Sequence, residues 1–147
     1  MIALTIKGEP QGKGRPRFRK NGFAYTPLKT RDYEEQIRSE FHKKNSEAVP
    51  VYPKGVAVEV YLGIYCGIPK SYSQIKAHRC LIGEILPAKK PDVDNIIKCL
   101  DSLNGLAWHD DSQITKVYAA KHYSRDPRLE IRIVEANANV GGLIEEL

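Results

Sequence analysis

Ile2, Leu4 and Ile6 alternate with Ala3, Thr5 and Lys7. A period of two predicts a strand over about residues 2 to 8, apolar on one face. Gly8, Pro10, Gly12, Gly14 and Pro16 exclude regular structure from there to about residue 17. Residues 18 to 25, with Asn21-Gly22 at their centre, predict a short hairpin. Thr26-Pro27 then opens a helix, with Thr26 as N-cap and Leu28, Tyr33, Ile37 and Phe41 as its apolar stripe through about residue 46. After Pro50 and Pro53, residues 56 to 66 are β-branched and aromatic, which predicts a central strand.

Residues 71 to 83 read as a short helix between a serine cap and a glycine stop. Residues 87 to 91 form a loop, and residues 94 to 103 a helix whose apolar positions are Ile96, Ile97, Leu100 and Leu103. Asn104-Gly105 closes it. Two strands follow, at about 113 to 124 and 128 to 136; the tight link Arg125-Asp126-Pro127 predicts an antiparallel pair. The order predicts a single α+β domain over residues 1 to 147: a mixed sheet of about four strands with two to three helices packed on it. Residues 137 to 147 read as a frayed tail. No repeat or low-complexity segment interrupts the chain.

Composition agrees with one ordinary globular domain, at 41% hydrophobic and 28% charged residues. No apolar run approaches the roughly 20 residues of a membrane helix, and no signal peptide opens the chain; the expected compartment is the cytoplasm. Cys66, Cys80 and Cys99 lack metal-type spacing, and Cys66 and Cys99 sit in apolar runs as core residues.

Charge changes the picture because it is unevenly spread. The whole chain carries +5, whereas residues 1 to 31 hold eight cations and one acid, a net of +7. Residues 92 to 111 hold five aspartates against Lys98, a net of −4. A basic front suits a polyanion, and a tight acidic cluster suits a cation. Solvated surface charge is the plain alternative for both.

The acidic stretch runs Lys90-Pro-Asp92-Val-Asp94-Asn-Ile-Ile-Lys98, then Asp101-Ser-Leu-Asn-Gly105, then His109-Asp110-Asp111-Ser-Gln-Ile114. If Asp92 to Asp94 is extended, both carboxylates face one side. Asp94 caps the following helix, whose N-terminus favours negative charge. Lys98 lies one turn on, and Asp110-Asp111 returns a third carboxylate. Carboxylate oxygens are the hard donors Mg²⁺ prefers, and such a site activates water and neutralises charge on a phosphodiester. Lys98 can orient that water or stabilise developing charge. Taken singly, Asp94 reads as an N-cap, Lys98 as its intrahelical partner and Asp110-Asp111 as a turn. Together, acids this close repel unless a cation joins them. One ion or two stays open.

This ordered set resembles the core signature of the RusA family of Holliday-junction resolvases. The likeness is strongest over residues 87 to 116 and extends more loosely to the first strand, the loop Gly12-Lys-Gly-Arg-Pro-Arg17 and the closing strands. The resemblance implies a Mg²⁺-dependent endonuclease, with Mn²⁺ as a substitute ion, that works as a homodimer and nicks opposed strands of a four-way DNA junction in recombination and repair. It implies that Asp92, Asp94 and Asp111 are the catalytic, metal-binding aspartates and Lys98 the catalytic lysine. Asp110 and Asp101 match motif acids in support or as further ligands; which of Asp110 and Asp111 dominates stays open. Family members are typically bacterial or prophage-encoded. Residues 67 to 87 look longer than the family core needs and read as an insertion.

Lys13, Arg15, Arg17, Arg19 and Lys20, in the basic loop over residues 9 to 25, are assigned to DNA phosphate contact. Phe18 and Tyr25 either stack at the junction or pack. His109 either assists proton transfer or is plain surface. Lys116, Lys121, Arg125 and Arg128 extend the DNA surface or are exposed strand positions, and Trp108 packs beneath the acidic loop. Two rival functions remain: a less selective branched-DNA nuclease, and a non-catalytic DNA-binding module with a structural cation.

Overall fold

The computed structural model describes residues 1 to 137. The tail expected from residue 137 onward therefore lies, apart from Asn137, outside the described residues. Among the described residues six strands form: β1 (Ile2–Lys7), β2 (Arg17–Phe18), β3 (Ala24–Tyr25), β4 (Val58–Gly67), β5 (Ile114–Ser124) and β6 (Arg128–Glu135). Three α-helices join them: α1 (Leu28–Lys44), α2 (Gln74–Leu81) and α3 (Val93–Lys98). β1, β6, β4 and β5, in that order, make one mixed sheet, and β2 and β3 pair as the expected hairpin. The result is a single α+β domain.

Period-two burial explains the sheet. Ile2, Leu4 and Ile6 of β1, alternate residues Val58 to Cys66 of β4, and Leu129, Ile131 and Ile133 of β6 all turn inward. Tyr33, Ile37 and Phe41 of α1 cover them. The stripe expected through Leu28 is corrected: Leu28 is exposed, and the buried row runs Thr30, Glu34, Ile37, Phe41. Thr26 is not the cap either. Pro27 takes that position without a side-chain bond, while the Thr30 hydroxyl accepts from the Gly14 N–H at 2.9 Å.

The antiparallel pairing expected of β5 and β6 does not form. β4 inserts between them, parallel to β5 and antiparallel to β6. The link must therefore cross two strand spacings, roughly 10 Å, which three extended residues can span. It passes over the end of β4 at Gly67, where an added Cβ would lie 3.2 Å from Pro127 Cγ. Near its start β5 carries a register shift: Val58 pairs with Ile114 but Glu59 with Lys116, so Thr115 is the extra residue, and its hydroxyl donates to the Val58 carbonyl at 3.2 Å.

The helix expected over residues 94 to 103 divides. α3 ends at Lys98 and the chain tightens into a 3₁₀ turn, Cys99–Leu103, before Gly105 at φ +81 stops it. Asp92, extended, holds the cap position without its side chain accepting from a backbone N–H of the helix, and Asp94 lies in the first helical turn. Ser73 caps α2 by accepting from the Lys76 N–H. Cys66, Cys80 and Cys99 are free and buried, and burial pushes the Cys99 thiol up to about 12.

Candidate active site

Three short segments bring the chemistry together. The 3₁₀ turn after α3 presents Asp101. A second 3₁₀ turn, Asp111–Gln113, presents Asp111 just before β5. Lys98 ends α3. Lys98, Asp101 and Asp111 line one hollow, floored by Ile97, Ile114 and Val117. The Asp111 carboxyl lies within hydrogen-bonding reach of Asp101, and that contact, followed by some loss of hydration and the Asp110 and Asp101 charges, holds its pKa above the usual carboxylate value.

Asp110 turns away from this pair. Its carboxylate accepts from the Ser112 N–H at 3.0 Å and caps the turn, and those Ser112 bonds hold its pKa below the usual range. The geometry thus separates the two neighbours: Asp110 shapes the loop and Asp111 faces the hollow. Gln113 fastens the loop. Its carbonyl oxygen accepts from the N–H groups of His109 (2.8 Å) and Asp110 (3.0 Å). Its amide nitrogen donates to the carbonyls of Tyr52 (3.3 Å), Pro53 (3.0 Å) and Val56 (2.9 Å). Trp108 is fully buried beneath, as expected, and its indole N–H donates to the Asn104 side chain at 2.7 Å.

Asp92 lies on another wall. It faces a groove lined also by Lys13, Arg15, Arg17, Lys29 and Lys90, and accepts from the Asn95 amide at 3.4 Å. Asp94 is exposed one helical turn before Lys98. The alternating arrangement expected of Asp92 and Asp94 is replaced, because Asp94 is already helical. Among the described residues no three acid, histidine or cysteine side chains converge closely enough to hold an ion as they stand. The donor chemistry fits a hard divalent cation: two carboxylates crowd at Asp101 and Asp111, which is the repulsion a cation relieves. Asp92 lines the groove, and Asp101 and Asp111 line the hollow.

The basic loop is stapled to both helices. The Lys13 N–H donates to the Asn95 carbonyl at 2.8 Å, the Cys99 thiol to the Gln11 carbonyl at 3.5 Å, and Gly14 to Thr30. Gly12 sits so close that an added Cβ would lie 2.9 Å from the Asn95 Cβ. The Lys13 ammonium is 3.3 Å from Asp101 and 3.8 Å from Glu34, which is buried on α1. Arg15 and Arg17 are exposed along the groove; Arg19 and Lys20 sit on the hairpin, with Arg19 over the Tyr25 ring at 5.6 Å. Phe18 and Phe23 of the hairpin are over 70% exposed. His109 lines a different hollow with Lys54 and Ser112, apart from the one that holds Asp111. Lys116 and Lys121 point to opposite faces of β5, so the expected basic cluster with Arg125 and Arg128 is not one patch.

From sequence alone Glu34, Lys29, Lys90 and Phe23 had no site role. The helical spacing 30, 34, 37, 41 was the available sign for Glu34.

An acidic hollow beside a cation-lined groove, on an α+β domain, is the layout of a protein that handles the phosphate backbone. The family model for Endodeoxyribonuclease RusA matches residues 7 to 134, and the chain belongs to that family of DNA endonucleases. It is also 34% identical over 143 residues to the Bacillus subtilis (strain 168) protein described as "Uncharacterized protein YqaN", covering 93% of this chain and 98% of that one. Among the described residues no helix is long and apolar enough to cross a membrane.

Proposed function

We propose that this chain is a Mg²⁺-dependent, structure-selective endodeoxyribonuclease that resolves four-way DNA junctions by paired nicks, acting as a homodimer in the cytoplasm. The observation that carries the reading is the meeting of Lys98, Asp101 and Asp111 in one hollow, next to a groove lined by Arg15, Arg17, Lys29 and Lys90. Membership of the RusA family supports the junction as substrate.

Asp92, Asp94 and Asp111 are the residues that would hold the ion, with Asp101 beside Asp111. Bound there, the ion supplies an activated water and charge neutralisation. The groove cations bind the phosphate backbone and set the strand in register. Lys98 places an ammonium at the hollow, where charge grows on the phosphoryl oxygens during attack. Asp110 and Gln113 hold Asp111 in place. Phe18 and Phe23, presented on the hairpin, offer faces on which unstacked bases can rest.

The dimer reading is supported by the sheet. Tyr61, Tyr65, Tyr118 and His122 stand on the face opposite α1, and a parallel pair such as β4 and β5 is normally covered on both faces. Arg132 and Lys116 stand there with Glu59 and Glu130, a mixture of signs that complements itself under a two-fold axis.

The test compares cleavage of a synthetic four-way junction and a linear duplex of the same sequence, with Mg²⁺ and with chelator. Junction-selective, Mg²⁺-dependent paired nicking is expected. Equal cutting of both substrates would overturn junction selectivity, and undiminished cutting in chelator would overturn the metal site.

A further inference from the structure

We propose that Lys13 is a positioning residue of the acidic hollow and not a phosphate contact of the basic loop. This rests on the reading of that hollow as the cutting site.

By sequence Lys13 groups with Arg15, Arg17, Arg19 and Lys20. The structure divides the group. Arg15, Arg17, Arg19 and Lys20 are exposed, whereas the Lys13 side chain is 26% exposed and turned inward. Its ammonium lies between the carboxylates of Glu34 (3.8 Å) and Asp101 (3.3 Å). The backbone around it has little freedom: Lys13 is bonded through its N–H to α3, Gly14 to α1, and a side chain at Gly12 would have to push Asn95 or the loop aside.

Charge decides which way the amine stays. Glu34 is buried within the α1 stripe, and Lys13 is the cation that answers it. Swinging the amine outward to a phosphate would leave the Glu34 carboxylate without its counter-charge, a heavier loss than one solvent-screened phosphate contact returns. The amine stays, and it holds Asp101 on the side where that carboxyl reaches Asp111. Glu34, Lys13, Asp101 and Asp111 thus form one chain of contacts from the interior of the domain to the hollow. Asp101 receives the ammonium on one side and Asp111 on the other. A glycine-flanked lysine in a basic loop therefore serves the acids.

The two roles differ in what they do to binding and to rate. Full-length Lys13→Met, Lys13→Arg and Arg17→Ala are compared with wild type. Junction affinity is measured against salt with Ca²⁺ in place of Mg²⁺, and single-turnover cleavage at saturating junction with Mg²⁺. For Lys13→Met we expect affinity within about twofold of wild type, an unchanged slope of log K against log salt, and a cleavage rate lower by at least about 30-fold. Lys13→Arg should recover most of the rate, since it restores the cation. Arg17→Ala should lower the salt slope by about one, as loss of one phosphate contact does. A slope lowered by about one in Lys13→Met, or an unchanged rate at saturation, overturns the proposal. Lys13→Gln carries the same test should Lys13→Met fail to fold, with the same signature expected. If the wild-type chain binds junctions and cuts none, the reading of the hollow falls, and the salt slopes alone still decide whether Lys13 meets phosphate.

Discussion

The carboxyl groups of Asp101 and Asp111 come within hydrogen-bonding reach of each other, although they leave different 3₁₀ turns. Two acids so placed bind a shared proton more tightly than either would alone. In the folded chain Asp111 therefore titrates above its ordinary value, and in the unfolded chain it does not. Folding stability then falls as pH rises from the ordinary carboxylate value through the raised one, because the folded state holds the extra proton in that interval. Above it the repulsion is fully present. Asp111→Asn should melt higher than wild type at neutral pH and lose cutting. Mg²⁺ should raise the melting temperature of wild type and leave Asp111→Asn unmoved. Differential scanning fluorimetry across pH, with and without the ion, reads all three. A lower melting point for the variant at neutral pH would show that the pair does not repel.

Gln113 uses both ends of its amide to join the acidic loop to the segment before β4. Gln113→Ala leaves two N–H groups and three carbonyls to find other partners. A loss of about 2 kcal/mol is expected, in the range for stripping partners from partly buried polar groups. Urea unfolding measures it. Cutting should fall as well, because Asp111 follows directly on the freed backbone; full activity in the variant would mean the loop holds itself.

Gly12→Ala places a methyl group 2.9 Å from the Asn95 Cβ, inside the normal contact limit. The loop must lift from α3, which strains the Lys13 N–H bond to Asn95. We expect a destabilisation of about 1–2 kcal/mol and a slower cut. Gly22→Ala, far from α3 on the hairpin, is the control for glycine removal as such. Its φ of +85 costs stability without slowing the chemistry.

Tyr118 is 60% exposed on the bare sheet face, on the edge strand β5. Tyr118→Asp should convert a two-chain particle in light scattering to a single chain while leaving the fold intact by circular dichroism. A wild-type mass of one chain at micromolar concentration would remove the dimer from the proposal.

Much of this was readable in the chain because single residues carried it. The alternation in β1, the β-branched and aromatic run of β4, the Asn21-Gly22 hairpin and the glycine at 105 each declare a local geometry, and the structure has them. The acids were legible for the same reason, being dense and ordered. What escaped depends on contacts between distant segments. Nothing local to residues 113 to 136 says that β4 will enter between β5 and β6, since the decisive fact is room at Gly67. The division of α3 comes from tightening after Lys98, which no cap signal marks. Lys13 looked like its arginine neighbours because the carboxylates that engage it, Glu34 and Asp101, lie far along the chain.

Thr115 stands as the surplus residue between Ile114 and Lys116 where β5 meets β4. Side chains on a strand change sides at every step, so this one residue sets which way everything ahead of it looks. Shortening the chain by Thr115 would put Ile114 and the turn before it out of step with β4, and so change where Asp111 points. The aim of a carboxylate is thus set by a local count of residues in the strand that follows it.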